Sequence, residues 1–216
     1  MVERPERPER KASVPAVREA GVADVPVLSR VLARAFDDDP VWRWMFPGPR
    51  VRLDRMAGLF SIELRHVHLP LGATEVAGRG GRIEAGAMWD PPGRWRTPLP
   101  VLIRQFVPLA RLFGTRTVPV LRTLTAIEKQ HPAEPHWYLS VIGTDPAAQG
   151  NGLGGRLLES RLSRCDEEGL PAYLESSKES NVPFYEKYGF RVTRTIRPPG
   201  GCPPVWAMWR DPGASG

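Results

Sequence analysis

The sequence predicts one domain of mixed α/β (α+β) class, on three observations. The chain has 216 residues and 41% hydrophobic content, enough for one well-buried core and short for two. Segments rich in β-branched and aromatic residues alternate along it with segments whose apolar residues recur at helical spacing. At 136–155 an unbroken apolar strand runs into a glycine-rich turn that opens an amphipathic helix.

Taken in order, residues 1–13 are charged and proline-punctuated, as in a disordered tail, and the domain is expected over 14–211. A short alternating run at 14–19 reads as a first strand. Val25, Leu28, Val31, Leu32 and Ala35 form a helical stripe that ends before Pro40. The aromatic stretch Trp42 to Pro47 reads as irregular, either lining a cleft or packing the helices around it. Helical spacing returns from Arg52 to His68, and 74–77 and 82–89 read as a hairpin turned at 78–81. Residues 90–135 form a helical insert interrupted by Pro98, Pro100, Pro108 and Pro119. Strand 136–144 and the helix after the glycine turn follow, the latter apolar along Leu153, Leu157, Leu158, Leu162 and Cys165. A strand at 170–177, a short helix at 181–187 and strands at 190–196 and 205–209 close the chain.

The turn Gln149–Gly150–Asn151–Gly152–Leu153–Gly154–Gly155 carries the chemistry. Four glycines keep Cβ atoms away, so backbone N–H groups and the positive helix end are open to a pyrophosphate. Gly150, Gly152 and Gly155 also satisfy the dinucleotide fingerprint, with Glu175 about where its ribose-binding acid should fall. Against that, Asp145 to Gln149 separates strand from glycines, and too little chain follows for a dinucleotide domain.

Read instead as Gln149–x–x–Gly152–x–Gly154 and followed by Asn181–Val182–Pro183–Phe184–Tyr185, the sequence resembles the GCN5-related N-acetyltransferases. The likeness is strongest over 135–208, toward the branch that includes puromycin N-acetyltransferase and uncharacterised relatives. The resemblance implies a mixed, mostly antiparallel central sheet flanked by helices, with the helical insert before the central strand. It also implies acetyl-coenzyme A as co-substrate, with direct transfer to a primary amine in a ternary complex. A small-molecule acceptor, such as an aminonucleoside or other antibiotic, stands first. Protein amino groups and a non-catalytic acyl-coenzyme A sensor are the alternatives.

Carried over residue by residue, the resemblance gives Ile142, Gly143 and Thr144 to the pantetheine arm and residues Gln149 to Gly155 to the pyrophosphate. Tyr185 would protonate the departing thiolate. Asn181 either touches the pantetheine or simply caps its helix. Related enzymes place histidines where Tyr138 and Ser140 stand, so that relay is absent; among Glu175, Glu84, His131 and His136, Glu175 is named as base. Trp89, Tyr138 and Ser140 are expected at the acceptor. The insert, by its apolar residues between 101 and 113, is expected to fold over the cleft as a lid, with a homodimer interface as the alternative.

The formal charge of +6 and pI near 9.8 invite nucleic acid as a partner, yet the arginines are scattered and no basic cluster is interleaved with aromatics. No nucleic-acid partner and no membrane are expected. Cys165 and Cys202 form no disulfide or metal framework, which suits the cytoplasm. No metal is expected either: Asp37 to Asp39 follow a helix, where carboxylates cap, and His66 and His68 sit two residues apart on different helical faces.

Overall fold

The computed structural model describes residues 16–214; the expected tail at 1–13 and the start of the first strand lie outside it. The strands are β1 (Ala16–Glu19), β2 (Thr74–Gly78), β3 (Ala85–Asp90), β4 (Trp137–Thr144), β5 (Ala172–Ser176), β6 (Arg191–Ile196) and β7 (Val205–Arg210). They form one sheet in the order β1-β2-β3-β4-β5-β7-β6, parallel at β4–β5 and antiparallel elsewhere. The fold is thus the mixed, mostly antiparallel sheet flanked by helices that the sequence implies. The helices are α1 (Val25–Ala35), α2 (Pro40–Met45), α3 (Arg52–Glu63), α4 (Leu99–Phe113), α5 (Thr117–Glu128), α6 (Leu153–Glu167) and α7 (Val182–Glu186).

Two apolar clusters lie on opposite faces of the sheet. One joins α1, α2 and α3 to Val76, Met88, Val141 and Val205; the other joins α6 to Ala77, Ala87, Leu139, Leu174 and Met208. The leucine stripe read from the sequence supplies the second, with Leu157, Leu158 and Cys165 fully buried. Two glycines let α1 lie close on the sheet. Gly86 and Gly143 are register partners, and a Cβ on either would come within 2.4 Å of Leu28 or 2.9 Å of Ala35.

Local chemistry moved several boundaries. The stretch read as irregular from Trp42 contains α2, because Asp39 accepts the N–H groups of Val41 (2.9 Å) and Trp42 (3.1 Å) and Pro40 suits the first turn. Its aromatics pack: Trp42 lies 4.6 Å from Phe60 and 5.4 Å from Phe36, centroid to centroid. The helix read over 52–68 ends as α3 and passes into a π turn at Leu64–His68. Strand 82–89 starts only at Ala85. Arg82 to Glu84 still belong to the turn, closed by the Glu84 N–H on the Ala77 carbonyl.

The insert is helical as expected but does not lie as expected. α4 packs through Leu109, Leu112 and Phe113, with Phe113 stacked on Phe46, and leaves Leu99, Ile103, Phe106 and Val107 exposed. Pro98 and Pro100 open α4, and Pro119 sits in the first turn of α5, so three of the four prolines mark starts and Pro108 alone lies inside a helix. No helix among the described residues is long and apolar enough to cross a membrane.

A buried ion pair fixes the π turn to the sheet. His68 Nδ1 lies 2.8 Å from Asp90 Oδ1, while His66 takes a hydrogen bond from Arg104 on another side. Burial lowers the His68 pKa, but the bond to Asp90 and the charges of Asp90 and Glu63 outweigh it and raise it above 6.5. The pair therefore contributes stability fully below pH 6.5 and loses it as pH rises through the raised value. His68→Gln is expected to flatten that loss when unfolding free energy is measured by denaturant titration across the range. An unchanged slope would remove the pair from the pH response.

Candidate active site

The site begins with a defect in β4. Met88 pairs with Val141 and Trp89 with Leu139, so Ser140 has no partner on β3 and forms a bulge. The bulge breaks period-two alternation: Tyr138 and Val141 face the α1 side, whereas Leu139 and Ile142 face α6. On the other edge, β5 pairs with β4 only as far as Leu139 and Leu174. Glu175 and Ser176 continue along β7 instead, opposite Ala207 and Trp206. The two parallel strands part there, and the backbone of Ser140 to Thr144 has no strand on its β5 side.

Two cavities meet in the opening. The larger, about 660 Å³, runs from Ile142, Gly143 and Thr144 over the glycine turn and is bounded by Lys178, Lys187 and Phe184. The smaller, about 200 Å³, is lined by Tyr138, Ser140, Glu175 and Ser177 with Trp42, Met45, Leu124 and Ile127. Phe36, Ile142, Asn181 and Tyr185 line both.

The turn is built as its sequence requires. Gly150 and Gly152 have φ of 77° and 74°, the left-handed region, and Cβ atoms there would meet open space. Gly152 is the N-cap of α6, so the first N–H groups of that helix point into the larger cavity's wall without a side-chain cap. Gln149 Nε2 donates to the Thr144 carbonyl and Asn151 Nδ2 to the Ala148 carbonyl, bracing the loop. Asn151 thus turns back on its own loop and does not line the cavity. Gly155 also has another reason: a Cβ there would lie 2.2 Å from Tyr188 Oη, so the glycine makes room for that ring. Leu153, at 1% exposure, anchors α6 in the core.

Asn181 precedes α7 with helical dihedrals and makes no side-chain cap bond, which removes the capping alternative and leaves its amide beside both cavities. Tyr185, rather than Phe184 or Tyr188, is the most buried ring of that helix, and its hydroxyl has no protein partner among the described residues. Phe184 and Tyr188 are displaced from the core because they fill the space over Gly154 and Gly155. Burial, with a contribution from Asp39, pushes the Tyr185 phenol well above its usual pKa, so it stays protonated.

Glu175 accepts the Tyr138 hydroxyl at 2.6 Å from within the smaller cavity. Trp89 is corrected as an acceptor residue: it is wholly buried among Ala73, Leu139 and Leu174 and lines neither cavity. The lid is corrected too. α4 lies against α3, and the insert reaches the smaller cavity through Leu124 and Ile127 of α5. Sequence reasoning missed Lys178 and Lys187, and read Asp39 as a capping carboxylate without placing it at the cavity. The Lys178 ammonium pairs with Asp38 at 2.5 Å, and the Ser177 hydroxyl donates to Asp39, which burial moves toward higher pKa. Asp39 was legible as a cap; the lysines carry no local pattern, since only the chain's path from β5 into α7 brings them to the turn.

A sheet parted between parallel strands beside a glycine-rich helix start is the arrangement expected from the acetyltransferase resemblance. Residues 122–205 match the family described as acetyltransferase (GNAT) domain. A Corynebacterium glutamicum structure described as histone acetyltransferase HPA2 and related acetyltransferase is 28% identical, with a TM-score of 0.73 over 92% of this chain and 97% of that one. An uncharacterised N-acetyltransferase of Schizosaccharomyces pombe is 37% identical over 84 residues, which are 39% of this chain and 34% of that protein. Mycothiol acetyltransferase of Thermomonospora curvata is 43% identical over 65 residues, 29% and 22% of the respective chains. The chain therefore spans about a third or less of the curated relatives it matches. Over residues 122–205 the chain is similar to the GNAT acetyltransferases.

Gly154 tests the placement of the cofactor. A Cβ there would lie 3.6 Å from Phe184 and 3.7 Å from Thr144, ordinary contacts at an ordinary φ. Gly154→Val should therefore fold with a midpoint within a few degrees of wild type, yet bind coenzyme A at least about tenfold more weakly because its methyls enter the anion site. Calorimetric titration decides; undiminished affinity in the folded variant would move the site elsewhere.

Proposed function

We propose that the protein transfers an acetyl group from acetyl-coenzyme A to a primary amine of a small molecule, directly and within a ternary complex. The observation that carries this reading is the meeting of the two cavities at Tyr185, Asn181 and Ile142. The larger fits the cofactor: unpaired amides at a helix start, two glycines without Cβ atoms, Lys178 and Lys187 for phosphate charge, and an unpaired strand edge for the pantetheine amides. When bound there, acetyl-coenzyme A supplies the activated acyl group.

The residues divide the work by position. A backbone N–H beyond the Ser140 bulge is the donor available for the developing oxyanion. Tyr185, protonated and unpartnered, donates toward the leaving sulfur. Glu175, paired with Tyr138, takes the ammonium proton of the acceptor. The acceptor enters between α2 and α5, where Trp42, Met45, Leu124 and Ile127 offer apolar surface around the carboxylate. This favours an amine carried on a small apolar or ring-bearing body over a lysine in a folded protein, since α5 closes the groove a polypeptide would need. The relationship to the Corynebacterium structure keeps a protein amino group as the second reading. Two free buried cysteines suit a reducing, cytoplasmic setting, and a homodimer would draw on the exposed stripe of α4.

Thiol release from acetyl-coenzyme A with 2-phenylethylamine, spermidine, puromycin and a lysine-containing peptide tests the reading. Release with at least one small amine is expected; release with the peptide alone would establish the second reading, and coenzyme A binding without any release would make the protein a sensor. Tyr185→Phe should lower kcat by about 10²-fold while cofactor affinity stays level. Full turnover by this variant when chemistry is rate-limiting would end the general-acid assignment. Leu124→Ala should change the amine KM and its ranking across the panel, and Phe106→Ser on α4 should change neither.

A further inference from the structure

Behind Glu175 lies a chain of buried side chains that the transfer reaction has not used. His131, from the link between α5 and β4, sets its Nδ1 3.5 Å from Glu175 Oε1, with side chains only 3% and 8% exposed. Its ring is held by aromatic neighbours: Trp95 stacks on it at 3.7 Å, and Tyr138 and Tyr173 meet it edge-on at 4.7 and 4.8 Å. His131 Nε2 lies 2.9 Å from His136 Nε2, and His136 Nδ1 lies 2.6 Å from the Glu134 carbonyl oxygen.

The tautomers follow from these contacts. A carbonyl oxygen can only accept, so His136 carries its proton on Nδ1 and presents a bare Nε2. Burial lowers the His136 pKa and keeps that ring neutral. His131 must then donate from Nε2, which leaves its own Nδ1 bare. That lone pair faces Glu175 Oε1, an oxygen that has no hydrogen-bond partner although Oε2 holds the Tyr138 hydroxyl. Two acceptors thus face each other across 3.5 Å with no donor between them. One added proton satisfies both.

The pair also joins two openings. Glu175 lines the acceptor cavity, and His131 lines a separate opening of about 330 Å³ bounded by Glu134, Tyr173, Thr193 and Arg194. We propose that Glu175 and His131 form a proton exit: the acceptor's proton is taken between Oε1 and Nδ1 and leaves through this second opening while substrates fill the first. The ammonium N–H bond breaks as an O–H bond forms on Glu175. That O–H bond breaks as His131 Nδ1 gains the proton; the Nδ1–H bond of the imidazolium then breaks as solvent in the second opening takes the proton, and the ring returns to its Nε2–H tautomer. His136 is a positioning residue that selects the tautomer able to accept. This inference rests on the acetyltransferase reading for its substrate but not for its tautomers.

Its test is accordingly double. Long-range ¹H–¹⁵N spectra of the unliganded protein, with the four histidines assigned by single variants, should show His131 protonated at Nε2 and His136 at Nδ1. A His131 protonated at Nδ1 would overturn the proposal whatever the enzyme acetylates. With the most reactive amine of the panel, His131→Ala should lose about tenfold in kcat, keep its acetyl-coenzyme A KM, and recover when free imidazole is added to fill the opening. A fall in kcat that imidazole does not reverse, or no fall at all, would contradict the exit. Should His131→Ala not fold, His136→Leu takes its place: the His131 tautomers should then mix, and a His131 unchanged in the spectrum would count against the assignment. Absence of thiol release from wild type with every amine would overturn the acetyltransferase reading alone, leaving the tautomers to be judged by the spectra.

Discussion

The structure depends on one broken pairing. β4 and β5 are the only parallel neighbours in the described sheet, and they stay together for three register pairs before separating at Leu139 and Leu174. Backbone groups that lose a strand partner cost about 1–3 kcal/mol each when buried unsatisfied, so an unpaired edge inside a domain persists only where a ligand or water reaches it. Here the edge is opened twice over. The bulge at Ser140 turns β4 relative to β3, and β5 follows β7 instead of β4. The residues of the proposed site are gathered at that opening: those of the glycine turn, Tyr185 of α7, and Glu175 on the departing strand.

The rest of the fold holds the opening in place. α1 lies close on β3 and β4 because Gly86 and Gly143 face each other across the register, and this brings Phe36 to the rim. Asp39 caps α2 and receives the Ser177 hydroxyl, tying the helical layer to the end of β5. α6 is anchored by Leu153, Leu157 and Leu158, so its N-terminal amides are set by core packing rather than by a ligand. A site whose donors are fixed in advance loses little entropy on binding, which is the physical sense in which such a turn is ready for phosphate.

Much of this was legible in the sequence and some was not, for identifiable reasons. Strand, turn and helix at 137–167 follow from periodicity and glycine chemistry, and the core stripe of α6 is where the spacing puts it. Trp89 was misjudged because strand alternation says which residues share a face but not whether that face is cavity or core, and the bulge at Ser140 changes the count. α4 was given the place beside the cavity that α5 takes, since both helices are amphipathic and only tertiary packing decides which face is covered. His131 and His136 were named singly as base candidates, but their pairing was not legible, because their meaning comes from a tautomer fixed by a backbone carbonyl.

The account stands or falls on whether coenzyme A occupies the opening between β4 and β5. Amide hydrogen exchange read residue by residue, with and without saturating coenzyme A, measures this directly. Pairing of the pantetheine with the open strand edge and capping of α6 by phosphate predict slowed exchange at amides within Ser140–Thr144 and Gly150–Gly155, with the exposed face of α4 unchanged. Tight binding that left those amides exchanging at their unliganded rates would contradict the account.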